Sequence, residues 1–254
     1  MEFTPNPYTL FALCPLIFLA GFIDSIAGGG GLISLTSYTA FGLPGAYALG
    51  TNKFSSVIGC TAASANYIRT KNYDLTTLIP AVIAALAGSA AGSRCALLIS
   101  DNVFRILLLI ATPLIGILTL AEKDYDRFRR DMKPAPAVAI AFAIGLVIGF
   151  YDGFYGPGAG TFFQLGFVML AGLEIKKACG NSRIVNLSSN LAALVTFIIN
   201  QRVVYLFAVP CAAFSILGNV IGSRLAIKKD VKIVKPMMLV VIALLIIKLA
   251  VDLF

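Results

Sequence analysis

Two carboxylates and two cations stand inside apolar segments of this chain, and each has a twin. Asp24 lies in Gly21-Phe22-Ile23-Asp24-Ser25-Ile26-Ala27-Gly28-Gly29-Gly30. Asp152 lies in Gly149-Phe150-Tyr151-Asp152-Gly153-Phe154-Tyr155-Gly156-Pro157-Gly158, with Gly, Phe, Asp, Gly and Gly matching at a constant spacing of 128 residues. Lys53 closes Gly50-Thr51-Asn52-Lys53 and Arg183 closes Gly180-Asn181-Ser182-Arg183, at a spacing of 130. A charged side chain at the centre of a membrane helix costs about 2.5–3.5 kcal/mol on insertion scales. Paired placement in two halves therefore asks for a reason. Two roles fit Asp24 and Asp152: helix caps or ion-pair partners of Lys53 or Arg183, and titratable groups that couple transport to protons. Two also fit Lys53 and Arg183: anchors snorkelling to the membrane interface, and a cationic pair flanking an anion site, one from each half.

The chemistry around these charges suits an anion. Gly28-Gly29-Gly30-Gly31 and Gly156-Pro157-Gly158-Ala159-Gly160 each precede a short apolar segment. Glycine lets backbone amides turn toward a ligand, and a helix N-terminus favours negative charge. Thr51, Asn52, Asn181 and Ser182 can cap the helices they are expected to open and can donate to an oxyanion. The candidate substrate-binding set is therefore Gly28, Gly29, Gly30, Thr51, Asn52, Lys53, Gly156, Gly158, Asn181, Ser182 and Arg183, with Asp24 and Asp152 as coupling groups. No Gly-Lys-Ser/Thr follows either glycine cluster, so a phosphate-binding P-loop fails. Ser55, Ser56, Ser64 and Asn66, and in the second half Asn186, Ser188, Ser189 and Asn190, continue a polar seam along otherwise apolar helices. The chain has no histidine, which removes a His-based metal site or proton relay; no HExxH or GxSxG is present, and neither enzyme activity, a metal nor a cofactor is expected. Cys14, Cys60, Cys95, Cys179 and Cys211 read as small buried hydrophobes.

These residues must be positioned by membrane helices. Hydrophobic residues make up 59% of the 254 and charged residues 13%, against about 25% charged in a soluble domain, and mean hydropathy is +0.90. The first half divides into apolar segments 9–27, 32–42, 52–68, 75–99 and 103–121, the second into 136–155, 161–172, 181–199, 203–227 and 236–253. Segments 32–42 and 161–172 are too short to span, since a crossing takes about 20 residues. Each follows a glycine cluster and reads as the second arm of a broken or re-entrant hairpin, a backbone tolerated at membrane depth only under cover of protein or a watery cavity. Gly88-x-x-x-Gly92 and Gly218-x-x-x-Gly222 read as helix-packing pairs, and the Arg94 and Arg224 that follow them as interfacial anchors. No basic stretch precedes the first apolar run, which is expected to be a retained span.

The net charge of +8 reflects basic residues in short connections, the pattern of the positive-inside rule, and implies no nucleic-acid partner. With each hairpin returning the chain to its own side, most Lys and Arg fall on the side of the charged linker 122–135. That makes the linker cytoplasmic and both termini periplasmic. Each half then crosses an odd number of times, so the halves, 1–121 and 136–254, are inverted. The expected fold is an all-α polytopic membrane protein of two inverted repeats, each a glycine-broken or re-entrant hairpin plus three transmembrane helices, forming one integrated domain.

The runs from Gly21 to Gly31 and Ala48-Leu49-Gly50-Thr51-Asn52-Lys53, with the weaker second copy Ala178-Cys179-Gly180-Asn181-Ser182-Arg183, resemble the TSUP (TauE/SafE, sulfite exporter-like) permeases. The similarity extends over nearly the whole chain. It implies a multi-pass secondary transporter of the bacterial inner membrane, an exporter, that moves a small sulfur oxyanion or organosulfonate by ion coupling, without ATP. Spacing and composition by themselves point to an anion only. The expected partners are that small anion and the lipid bilayer, with a homodimer left open. A passive anion channel is the alternative function.

Overall fold

The structure, a computed structural model, describes residues 7–104, 106–107, 130 and 132–228. The segment 236–253, the segment 103–121 beyond Leu107, and most of the linker fall outside the described residues. Within them the chain is helical: α1 Pro7–Ala27, α2 Gly30–Ala40, α3 Gly45–Arg69, α4 Leu75–Ala96, α5 Pro134–Phe154, α6 Ala159–Leu165 continuing into a π-helical turn Gly166–Leu170, α7 Ile175–Ile199 and α8 Tyr205–Lys228. Helices suit this sequence because each satisfies its own backbone groups where water is absent. Five of them, α1, α4, α5, α7 and α8, are long and apolar enough to cross a membrane. At 25 residues α3 is as long as α7, but Thr51, Asn52, Lys53, Ser55, Ser56, Ser64 and Asn66 keep it out of that set. The chain is a multi-pass membrane protein, and it presents Ile79, Ile83, Val147, Val209 and Leu217 outward, where lipid takes the place of water.

The breaks between helices follow backbone chemistry. Gly28 (φ +85°), Gly156 (φ +95°) and Gly158 (φ +78°) take conformations that strain any L side chain, and they separate α1 from α2 and α5 from α6. Asp74 caps α4, its carboxylate accepting from the Thr77 N–H at 3.0 Å. Pro134 starts α5, where a missing N–H costs nothing. The short helices are covered by protein. Ten of the eleven residues of α2 are buried, and the hydroxyls of Thr36, Ser37 and Thr39 donate to carbonyls one turn back, so their burial leaves no open donor.

The halves are packed crosswise. Helix α4 lies along α5, and α8 lies along α1. Gly88 and Gly92 face the α5 backbone at Leu146 and Phe150, while Gly145, Gly149 and Gly153 face Ala81, Ala85 and Ser89 of α4. On the other side, Gly218 and Gly222 face Phe18 and Phe22 of α1. A methyl group at any of these glycines would run into backbone. Small residues let two backbones approach, which drives association where lipid is as apolar as the interface. Between these pairs α3 and α7 pack on each other, α8 covers α3, and α4 covers α7.

One expectation is corrected here. Thr51, Asn52, Asn181 and Ser182 do not open their helices: α3 starts at Gly45 after Pro44, and α7 at Ile175 after Glu174. All four sit about one and a half to two turns inside. Their capping chemistry is overridden by helix that continues in front of them.

Candidate functional site

The four intramembrane charges pair across the halves. Lys53 Nζ donates to Asp152 Oδ1 at 2.8 Å, and Arg183 Nη1 to Asp24 Oδ2 at 3.0 Å. The side chains of Lys53 and Arg183 are each 1% exposed, Asp152 3% and Asp24 13%. The snorkelling reading of the two cations is therefore wrong, as is the capping reading of the two aspartates: a buried charge is tolerable only when paired, and each half supplies the partner the other half needs. Lys53 also donates to Asn190 Oδ1 at 2.7 Å, and the Ser189 hydroxyl donates to Asp152 Oδ2 at 2.5 Å. Around Asp24 the one other side-chain donor among the described residues is the Cys60 thiol, 3.5 Å from Oδ2.

The pairs border a cavity of about 30 Å³ between the halves, lined by Asp24, Lys53, Asp152 and the polar side chains of Asn52, Asn186 and Asn219 among others. That volume holds one or two waters, less than an oxyanion of four or more heavy atoms. Binding such an anion requires the lining to part. Of the glycine turns, Gly28, Gly30, Gly31, Gly156 and Gly160 line the cavity; Gly29 and Gly158 instead form the N-caps of α2 and α6. Gly28 and Gly160 have a further role. A Cβ would stand 2.7 Å from Arg183 Nη2 at Gly28 and 2.9 Å from it at Gly160, so the bare backbone is what admits the guanidinium. At Gly156 a Cβ would stand 3.3 Å from Lys53 Nζ, the matching position in the other half. A second cavity of about 260 Å³ lies near the linker end, lined by Asp74, Glu174, Arg130 and Lys177; its opposed charges give it no preference for an anion.

The remaining candidates are tied up in hydrogen bonds to protein. The Thr51 hydroxyl accepts from the Val204 N–H at 3.1 Å, and Asn181 Oδ1 accepts from the Asp74 N–H at 2.9 Å. Asn181 Nδ2 also donates to Asp74 O and to Thr77 Oγ1, at 3.1 and 2.8 Å. Each clamps the loop that leads into the fourth helix of the opposite half. Ser182 donates to Gly160 O at 2.7 Å and holds the second glycine turn against α7. Asn52 lines the cavity.

The match to known proteins is broad. The chain fits the family described as Sulfite exporter TauE/SafE over residues 13–249. It belongs to the TauE/SafE family. This family and its relatives are membrane transporters, not enzymes. The TauE/SafE chain is 36% identical over 238 residues to the probable membrane transporter protein ORF9 of a Sinorhizobium species, covering 92% of this chain and 90% of that one. It is 36% identical over 253 residues to the probable membrane transporter protein YfcA of Escherichia coli K12, covering 98% and 93%. A probable membrane transporter protein of Haemophilus influenzae is 32% identical over 238 residues, covering 92% of each. No solved structure matches it.

Within this TauE/SafE chain, sequence reasoning missed Ser215 and Asn219 of α8 and took Cys60 for a hydrophobe. All three line the cavity. An Asn in the middle of an apolar helix, directly after Gly218, was the available signal. Cys14 and Cys211 are buried as expected, whereas Cys95 is exposed and Cys179 intermediate. Arg94 and Arg224 are exposed, as anchors should be.

Proposed function

We propose that this chain is a secondary transporter for a small anion of the sulfur-oxyanion or organosulfonate class in a bacterial inner membrane. The observation that carries the reading is the pair of buried cations, one from each half, each held by the other half's carboxylate beside one small cavity. An anion that enters competes with a carboxylate for a cation, and the competition acts across the interface between the halves. Binding thus loosens the contacts that hold the halves in this arrangement, which is what alternating access asks of a substrate. Arg183 supplies the charge that the anion takes, Lys53 holds Asp152 across the interface, the glycine turns bearing Gly28, Gly30 and Gly156 supply close backbone, and Asn52 supplies a hydrogen bond. Gly29, Gly158, Thr51, Asn181 and Ser182 shape the site by holding the turns and loops in place.

The two halves, 1–121 and 136–254, act as inverted repeats around this site, joined by a cytoplasmic linker, 122–135, with both termini periplasmic. Reciprocal contacts support a two-fold relation: Thr51 clamps the chain at Val204, and its counterpart Asn181 clamps the counterpart position, Asp74. A residue i touching j′ while i′ touches j is the mark of a two-fold interface. The Lys/Arg distribution supports an axis in the membrane plane. A passive channel would need a continuous water path, and a cavity of only about 30 Å³ at the ion pairs supports the gated transporter. The test is thermal unfolding of purified protein with sulfite, sulfate, thiosulfate, sulfoacetate, taurine and short carboxylates. A ligand at about 100 times its Kd stabilises by about 2.7 kcal/mol. A shift with at least one sulfur anion, lost in Arg183→Ala and kept in Arg94→Ala, is expected; no shift with any anion refutes the reading.

A further inference from the structure

The two ion pairs occupy matching places but are not built alike. Asp152 uses both oxygens, one on Lys53 and one on Ser189, and Lys53 holds Asn190 as well. Asp24 receives both of its donors, Arg183 and the Cys60 thiol, on the single oxygen Oδ2. A thiol is a weak donor, and its counterpart in the other half, Asn190, instead accepts from the cation, Lys53, through Oδ1. Ser189, which anchors Asp152, has Gly59 as its counterpart, with no side chain to offer Asp24. Both carboxylates line the cavity, and Asp24 is the more exposed, at 13% against 3%.

The cations differ in the same sense. Arg183 Nη2 is buried and has no hydrogen-bond partner among the described residues, and it lies against Gly28 and Gly160, which line the cavity. On the same side Asn219 Oδ1 is also buried with no partner among the described residues. Its Nδ2 is committed to the Ser215 carbonyl at 3.0 Å, an acceptor only, which fixes the amide's orientation. Unmet buried polar atoms are uncommon, and each calls for a partner that the described residues do not supply.

From this the geometry points to a division of labour: Arg183–Asp24 is the exchangeable pair, where the anion docks and a proton is taken up, and Lys53–Asp152 is a fixed strut between the halves. The inference rests on the anion-transporter reading and deepens it. The anion takes the guanidinium, and Asp24 loses its counter-ion in a nearly dry site. A buried carboxylate without a cation is neutralised by protonation. One anion and one proton thus enter together, the proton residing on the Asp24 carboxyl. The titratable and charged groups around Asp24 are Arg183 from α7, Cys60 and Tyr67 from α3, and across the cavity Lys53 from α3 and Asp152 from α5. Helix α8 offers there only the uncharged Ser215 and Asn219. Neither α2 nor α6 carries a titratable side chain other than Tyr38 of α2, which is committed to Ser55 at 3.0 Å.

The experiment measures binding of methanesulfonate, an anion that does not itself titrate across the neutral range, as a function of pH in detergent-solubilised full-length protein. Uptake of one proton makes affinity strongest in acid and weakens it by about tenfold per pH unit wherever Asp24 is ionised in the free protein. A pH indicator in weakly buffered wild-type protein should record close to one proton taken up per anion bound. Asp24→Asn should abolish both the slope and the uptake, while the double variant Lys53→Met/Asp152→Leu should keep them. Binding by the wild type without proton uptake overturns this inference alone, whatever the variants do. So does a slope that survives Asp24→Asn or disappears in the Lys53/Asp152 double variant. If neither methanesulfonate nor any anion of the thermal-shift panel binds the wild type, this inference and the reading beneath it fall together.

Discussion

Removing one end of the Lys53–Asp152 pair should damage the fold far more than removing both. The pair is 2.8 Å long and its side chains are 1% and 3% exposed, so solvent screening takes little from it. Lys53→Met leaves a buried carboxylate with Ser189 as its remaining side-chain donor, and Asp152→Leu leaves a buried ammonium held by Asn190. Breaking a buried pair from one side costs about 3–5 kcal/mol, whereas exchanging both partners for apolar residues of similar volume is often neutral. At about 2–4 °C per kcal/mol for a chain of this size, each single variant should lose roughly 6–20 °C in Tm, and the double variant only a few degrees. The chain has no tryptophan, but Cys14, Cys60 and Cys211 are buried, so a thiol-reactive dye reports unfolding in detergent. The strut reading is refuted if the double variant loses as much as the two singles together, because the charges then contribute nothing to each other.

Gly28→Ala places a methyl group against the Gly160–Thr161 backbone and Arg183 Nη2 at a residue with φ +85°, and should weaken anion binding at least tenfold in the thermal-shift assay; Gly42→Ala, also at positive φ but with no neighbour within 4 Å, should leave binding intact. Gly92→Leu drives a side chain into the α5 backbone at Phe150 and should prevent accumulation of folded protein in the membrane, measured by monodispersity in detergent. Thr51→Val and Asn181→Leu each break a clamp between halves, and each should lower stability by about 1–3 kcal/mol in the same dye assay, the larger loss at Asn181, which makes three bonds.

What could be read ahead of the fold was the set of charges, because an ionised group in an apolar segment has to find a partner wherever the chain takes it. Which partner it finds is decided by packing. Asp24 is nearer in sequence to Lys53 than to Arg183, yet α8 lies along α1 and α4 along α5, and this crossing delivers each carboxylate to the opposite half's cation. The helix-packing glycines were legible for a related reason: a small-xxx-small spacing allows little except close backbone contact. The loop contacts of Thr51, Asn181 and Ser182 were not legible because hydroxyl and amide groups serve a ligand and a neighbouring loop equally well; the loops that claim Thr51 and Asn181 lie more than a hundred residues away across the interface, and Ser182 is claimed by the glycine turn of its own half at Gly160. Asn219 escaped because its half-one counterpart is Ser89, and a repeat comparison rewards likeness. The asymmetry that matters, Gly59 against Ser189 and Cys60 against Asn190, lies in the same blind spot.

The most direct test of the central claim is anion flux in proteoliposomes, followed with a labelled sulfur anion under an imposed pH gradient. The account predicts saturable uptake driven toward the alkaline side, lost in Arg183→Gln and retained in Arg94→Gln. Flux that rises without saturation and ignores the proton gradient, or that persists in Arg183→Gln, would contradict it.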